Sequence, residues 1–214
     1  MRVVIAGGHG QIAQHLEREL QAAGHQAVGM VRRAEQVPDL EDNGAEAVVV
    51  DLEATDVATL AGIVEGAGAV VFAAGGGADG NAARKETVDK GAAIMLADAA
   101  EQAGVRRYLM VSAMGTENAD PDSEDVFQVY LRAKQAADDD LRRRDLDWTI
   151  VRPGRLTDEP GTGLVQVGSL DRGEVTREDV AAVLVHCLDR VSTVGKTFDL
   201  LNGEQEIDEA LRRV

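Results

Sequence analysis

Tyr130 and Lys134, in the segment Tyr130-Leu131-Arg132-Ala133-Lys134, have the residue types and the spacing for proton transfer. On a helix that interval puts the phenol and the ammonium on one face. A phenol with an ordinary pKa of about 10 exchanges protons poorly at neutral pH, and a neighbouring ammonium lowers that value by favouring the charged form. Upstream, Ser112 ends the apolar run Tyr108-Leu109-Met110-Val111, where its hydroxyl could hydrogen-bond a substrate oxygen. The chemistry this trio suits is acid–base work on an oxygen substituent.

Such groups must be held by a frame, and the frame is legible as an alternation. Strand-like runs recur at 2–6, 27–31, 47–50, 69–73, 107–112, 148–152 and 197–201, separated mostly by alanine-rich segments of helical spacing. Several of these strands are apolar on both faces, which predicts a mostly parallel sheet covered by helices on both sides. The expected fold class is therefore α/β, a single Rossmann-type doubly wound domain over 1–214. No linker, repeat or low-complexity segment marks a second domain. In such a sheet ligands lie beyond the carboxyl ends of the strands.

The first of those ends is the most informative. Val3-Val4-Ile5-Ala6 enters Gly7-Gly8-His9-Gly10-Gln11-Ile12-Ala13, which opens a helical pattern with Ile12, Leu16 and Leu20 on one face and Gln14, Glu17, Arg18 and Gln21 on the other. A phosphate pair can rest on a helix N-terminus only if the preceding turn carries no obstructing side chains. Gly7 and Gly10 clear that approach, and the small Ala13 allows close helix–strand packing. Residues Gly7, Gly8, His9, Gly10, Gln11 and Ile12 are thus the expected pyrophosphate seat. After the second strand come Arg32 and Arg33, with no acid before Glu35. Arginine neutralises a ribose 2′-phosphate where an acid would bind the 2′-hydroxyl, so NADP(H) is expected over NAD(H). Asp51 and Leu52 end the third strand and could meet the adenine. Ala73, Ala74 and Gly75, continuing to Gly77, end the fourth and leave room for a ribose or nicotinamide, whose ribose Lys134 could hold.

Composition excludes other classes. The chain has 214 residues, 44% of them hydrophobic, and a formal net charge of −16 from 22 basic and 38 acidic side chains. That charge opposes broad contact with nucleic acid or anionic membranes. No apolar stretch is long enough to span a bilayer and the N-terminus reads directly as a strand, so a cytoplasmic location is expected. The single cysteine, Cys187, excludes an intrachain disulfide and reads as a core residue. The four histidines show no metal-ligand spacing; His15 and His25 read as exposed, and no metal is expected. Asp138-Asp139-Asp140 reads as a solvated helix face.

Taken together, Gly7, Gly10, Ala13, Asp51-Leu52, the turn from Ala73 to Gly77, Ser112, Tyr130, Lys134 and Arg152-Pro153-Gly154 resemble an atypical short-chain dehydrogenase/reductase. The likeness lies close to the extended, epimerase-like branch and to small NmrA-like, sugar-epimerase-like proteins, and it covers nearly the whole chain. It implies Tyr130 as general acid/base, Lys134 as ribose ligand and modulator of the phenol, and Ser112 as the group polarising the carbonyl. Where extended members usually place asparagine, Thr87-Val88-Asp89-Lys90-Gly91 offers Asp89, which could accept a proton or hold a water, though its charge disfavours a nearby phenolate. A monomer or homodimer is expected, and the resemblance implies that such dimers pair through the tyrosine-bearing helix and the one before it.

Beyond Pro153, residues 154–163 are rich in turn formers and predict a loop over the nicotinamide end, within a small substrate region at about 154–176. Gly154 would admit the carboxamide, and Arg155 could meet an acidic substrate or a cofactor phosphate. Thr176 reads as a helix N-cap. The expected function is NADP(H)-dependent hydride transfer to or from a small carbonyl or alcohol. The alternatives are a non-enzymatic NADP(H)-binding sensor or partner-binding protein, and epimerase or dehydratase chemistry on the same residues.

Overall fold

The computed structural model describes residues 1–77 and 81–214. In chain order the strands are β1 (Arg2–Ala6), β2 (Gln26–Val31), β3 (Glu46–Val49), β4 (Ala69–Phe72), β5 (Arg107–Val111), β6 (Asp147–Pro153), β7 (Arg155–Thr157), β8 (Leu164–Gly168), β9 (Glu174–Thr176), β10 (Lys196–Asn202) and β11 (Gln205–Glu206). The α-helices are α1 (Gln11–Ala22), α2 (Val37–Asp42), α3 (Val57–Val64), α4 (Ala82–Arg84), α5 (Ala93–Gln102), α6 (Val126–Leu141), α7 (Arg177–Leu188) and α8 (Ile207–Ala210). A π-helix, Lys85–Ala92, joins α4 to α5.

The main sheet runs β11-β8-β10-β6-β5-β4-β1-β2-β3. Its stretch from β10 to β3 is parallel throughout, while β8 and β11 add antiparallel pairs at one edge. Strand β1 lies between β2 and β4, so chain connections leave it in opposite directions and open a crevice at its carboxyl end. Alternation along the strands divides the core in two. Val3, Ile5, Leu109 and Val151 pack with α1 and α7 residues such as Leu16, Leu20 and Leu184. Val4, Val70, Phe72 and Met110 face the other way, against α3 and α5 residues such as Leu60 and Leu96. Strands buried on both faces are what a parallel sheet between two helix layers requires.

Four short strands, β7, β8, β9 and β11, are absent from the sequence expectation. They lie at the edge or in a separate pair, β7 with β9, among glycine, proline and polar residues that read as turns. The segment 154–163, expected as a loop, accordingly begins as strand β7. Its later part is fastened down rather than free. Gly161 N–H donates to Glu178 Oε2 at 2.8 Å and Gly163 N–H to the buried Asp179 at 2.8 Å. Thr176 caps α7 as the sequence predicts, its Oγ1 accepting from Asp179 N–H at 3.0 Å. Its own N–H goes to Asn202 instead of to Asp179.

Two acids expected on outer helix faces are wholly buried. Glu17 fills space that Gly29 leaves empty, and its Oε2 accepts from Asn43 Nδ2 at 3.0 Å. Burial lifts its carboxyl to about pH 7, the Asn43 hydrogen bond opposing the shift. The other is Asp138, on α6, which belongs to the site described next. Cys187 is buried in the core.

Candidate functional site

The glycine turn between β1 and α1 is shaped by the backbone beside it. Gly7 adopts φ +85°, and a Cβ there would lie 2.6 Å from Ala74 Cα. At Gly8 a Cβ would lie 2.8 Å from Gly29 Cα. Gly10 N–H closes the turn onto Gly7 O at 2.8 Å, and Gly10 stands at the N-cap of α1 without a side-chain cap, leaving the first helical N–H groups open to a ligand. Ile12 instead turns toward the core, and Gln11 Nε2 donates to Asp158 Oδ1 at 3.4 Å.

From this turn a cleft of about 250 Å³ runs along the strand ends. Gly7, His9 and Gly10 form its floor, Arg32 and Asp51-Leu52 one side, and Ala73, Ala74 and Gly75 the other. His9 Nε2 meets Asp39 Oδ2 at 2.7 Å. Arg32 is exposed and has no carboxylate within ion-pair distance among the described residues, whereas Arg33 lies outside the cleft with its N–H on Gln36 Oε1 at 3.1 Å. Asp51 Oδ1 accepts from Glu53 N–H at 3.0 Å, an Asx-type turn, and Leu52 packs on the core. Arg84, unremarked in the sequence, also lines the cleft. It bonds Glu53 Oε2 at 3.1 Å and Gly76 O at 3.3 Å, and Thr87 Oγ1 reaches the other Glu53 oxygen at 2.6 Å, clasping the π-helix start to the Asp51–Glu53 side of the cleft.

Behind the Ala74–Gly76 wall, outside the cleft's own lining, stand the residues suited to proton transfer. The π-helix brings Asp89, fully buried, to Gly76, whose N–H donates to Oδ2 at 2.8 Å. Lys134 Nζ on α6 donates to Val111 O at 3.0 Å, approaches Ala74 O at 3.5 Å and pairs with Asp89 Oδ1 at 3.4 Å. Tyr130, one turn earlier, has Lys134 Nζ 6.0 Å from its ring centroid and Lys85 Nζ 5.6 Å away. Sequence spacing predicts a lowered phenol pKa; the surroundings push it up. Burial is the main cause, and the carboxylates of Asp89 and Asp138 add to it. Lys134 does not offset them because it faces Asp89.

Ser112 is buried, and its Oγ donates to Asp138 Oδ2 at 2.9 Å. Asp138 is therefore no solvated acid: it also accepts from Arg152 Nε at 3.2 Å, and burial raises its carboxyl against those contacts. The Ser112 hydroxyl is thus engaged with Asp138, where the resemblance implies a bond to a carbonyl oxygen. Pro153 is buried at the end of β6. Gly154 owes its lack of a side chain to packing, since a Cβ there would lie 2.5 Å from Gly173 O and collide with Leu201. Arg155 is exposed on β7 and paired with Glu174. Neither residue is held toward the cleft by any of these contacts.

Sequence reasoning missed Asp138, Arg84 and Lys85. Asp138 carried a signal, because it lies four residues past Lys134 on the same helix face. Lys85 and Arg84 carried none, since the π-helix that orients them has no signature in residue pattern.

The cleft and its glycines fit a dinucleotide. Gly7 and Gly10 bring bare backbone to its lining, and the N-terminus of α1 carries no side-chain cap there. Among the described residues no group of three His, Cys, Asp or Glu could hold a metal ion, and no helix is long and apolar enough to cross a membrane.

Comparison with known proteins agrees. Residues 7–190 match a family described as NAD(P)H-binding. A Bacillus subtilis protein, the uncharacterized sugar epimerase YhfK, is 38% identical over the full length of both chains. Among solved structures, a candidate NAD-dependent epimerase/dehydratase from Bacillus halodurans is 40% identical with a TM-score of 0.92 and complete coverage of both chains. The oxidoreductase ylbE from Lactococcus lactis is 29% identical with a TM-score of 0.88, covering 100% of this chain and 96% of its own. With glycines, strand order and relatives in accord, the chain belongs to the NAD(P)H-binding family and has the fold of an atypical short-chain dehydrogenase/reductase.

Proposed function

We propose that this protein is an NADP(H)-dependent oxidoreductase acting on a small carbonyl compound, with Tyr130 as proton donor. One observation carries the reading: Lys134 reaches the carbonyl of Ala74, a residue of the cleft wall, while standing 6.0 Å from the Tyr130 ring, so a single ammonium links the nucleotide cleft to an acid–base group.

The cofactor, when bound, supplies hydride-transfer chemistry. The chain's own residues do the rest. Gly7 to Gly10 and the start of α1 would hold the pyrophosphate, Arg32 the 2′-phosphate, and Asp51 with Leu52 the adenine. Lys134 would hold ribose hydroxyls, steadied by Asp89. Tyr130 keeps its proton through the neutral range, because burial and two nearby carboxylates disfavour the phenolate. A phenol that retains its proton is a donor to a carbonyl oxygen, which favours reduction over alcohol oxidation. A second reading, an NADP(H) sensor without turnover, is favoured by Asp89 engaging Lys134 and predicts binding without hydride transfer to aldehydes, ketones, quinones or flavins.

Thermal melting with each dinucleotide tests the cofactor assignment. At about 100-fold excess over Kd, NADPH should raise Tm by about 5–10 °C, by mass action on a chain of this size. NADH should stabilise far less, and Arg32→Ala should abolish the difference. Equal or greater stabilisation by NADH would overturn the Arg32 argument.

A further inference from the structure

Every carboxylate beside the Tyr130 phenol already has a cationic partner. Asp89 faces Lys134 at 3.4 Å, and Asp138 is held by Ser112 and Arg152. Among the described residues one cation is left over. Lys85, at the first turn of the π-helix, is only 7% exposed, yet no carboxylate lies within ion-pair distance of it among the described residues. Its ammonium donates to the Gly77 carbonyl and lies over the Tyr130 ring, 5.6 Å from the centroid.

An ammonium has three donors, and those contacts use one of them. Burying a charge with no counter-ion among the described residues is costly, and a ring face returns only part of that cost. Excess positive charge is thus stored where Tyr130 would meet a ligand. We propose that Lys85 is an anion receptor, and that the carbonyl substrate carries a carboxylate close to its reacting carbon, as a short oxo acid does. This rests on the oxidoreductase reading and narrows its substrate class. The π-helix explains why such a lysine is available: its wider turn sends Asp89 to Gly76 and Lys134 while directing Lys85 at the phenol.

The test is binding, measured by calorimetry on protein saturated with NADPH, using matched acids and amides: oxamate against oxamide, and phenylglyoxylate against phenylglyoxamide. The wild type should bind at least one acid about tenfold or more tightly than its amide. Lys85→Met should erase that preference while leaving NADPH affinity within about twofold, and Lys85→Arg should retain it. Lys85→Gln, screened by thermal melting, gives a second neutral variant should the methionine fail to fold. Equal binding of acid and amide by the wild type overturns the proposal, as does a preference that survives in both neutral variants. So does a fall in NADPH affinity of about tenfold in the neutral variants, which would assign the lysine to a cofactor phosphate. Wild-type protein that binds no NADPH fails earlier, at the oxidoreductase reading, and is recognised before any acid is added.

Discussion

Asp89 sets the charge balance around Tyr130. It is fully buried, accepts from Gly76 N–H and holds Lys134, so the lysine cannot lower the phenol pKa as Tyr-Lys spacing alone predicts. Asp89→Asn removes one of the carboxylates that keep the phenol protonated and releases Lys134 toward it. The alkaline limb of the reductive pH–rate profile should then move to lower pH, with NADPH affinity changed little. An unmoved limb would show that Asp89 does not act on Tyr130. The pair Tyr130 and Lys134 was legible because helical spacing fixes a shared face. The sign of the phenol shift was not, because it depends on carboxylates that a π-helix and a distant turn of α6 bring in.

Helix α1 shows the same limit at the scale of an element. Its apolar stripe through Leu16 and Leu20 packs as the residue pattern requires, yet Glu17, patterned for solvent, is buried where Gly8 and Gly29 bring backbones together. Its carboxyl titrates near pH 7 in the fold against an ordinary 4.5. The sign follows: below the unfolded value the acid is protonated in both states and costs nothing. Between those two values the unfolded chain ionises first, so stability falls as pH rises. Glu17→Gln should therefore leave stability near pH 4.5 almost unchanged and raise it by roughly 2–3 kcal/mol at pH 8, read by urea unfolding. An equal effect at both values would contradict a buried, titrating Glu17. On α6, Asp138 repeats the lesson. A run of three aspartates looks solvated, but the first of them continues the face of Lys134 and reaches Ser112 and Arg152.

Over the whole molecule, the parallel part of the sheet could be read from strands apolar on both faces, and so could the crevice beside β1. The additions after Pro153 could not, since β7, β8, β9 and β11 are short and set among turn-forming residues. Their consequence is local: Gly154 packs against Gly173 and Leu201, Arg155 joins the β7–β9 pair, and Glu178 with Asp179 secures the Gly161–Gly163 segment on α7. Near the cleft at the strand ends stands the Tyr130 phenol, whose proton is retained through burial and two nearby carboxylates. Consumption of NADPH at 340 nm, followed with small oxo acids, aldehydes and ketones for the wild type and Tyr130→Phe, tests that arrangement most directly. The wild type should turn over and the variant lose about 10²–10⁴-fold in rate, with NADPH binding intact. Turnover by Tyr130→Phe at the wild-type rate on the same substrate would contradict it.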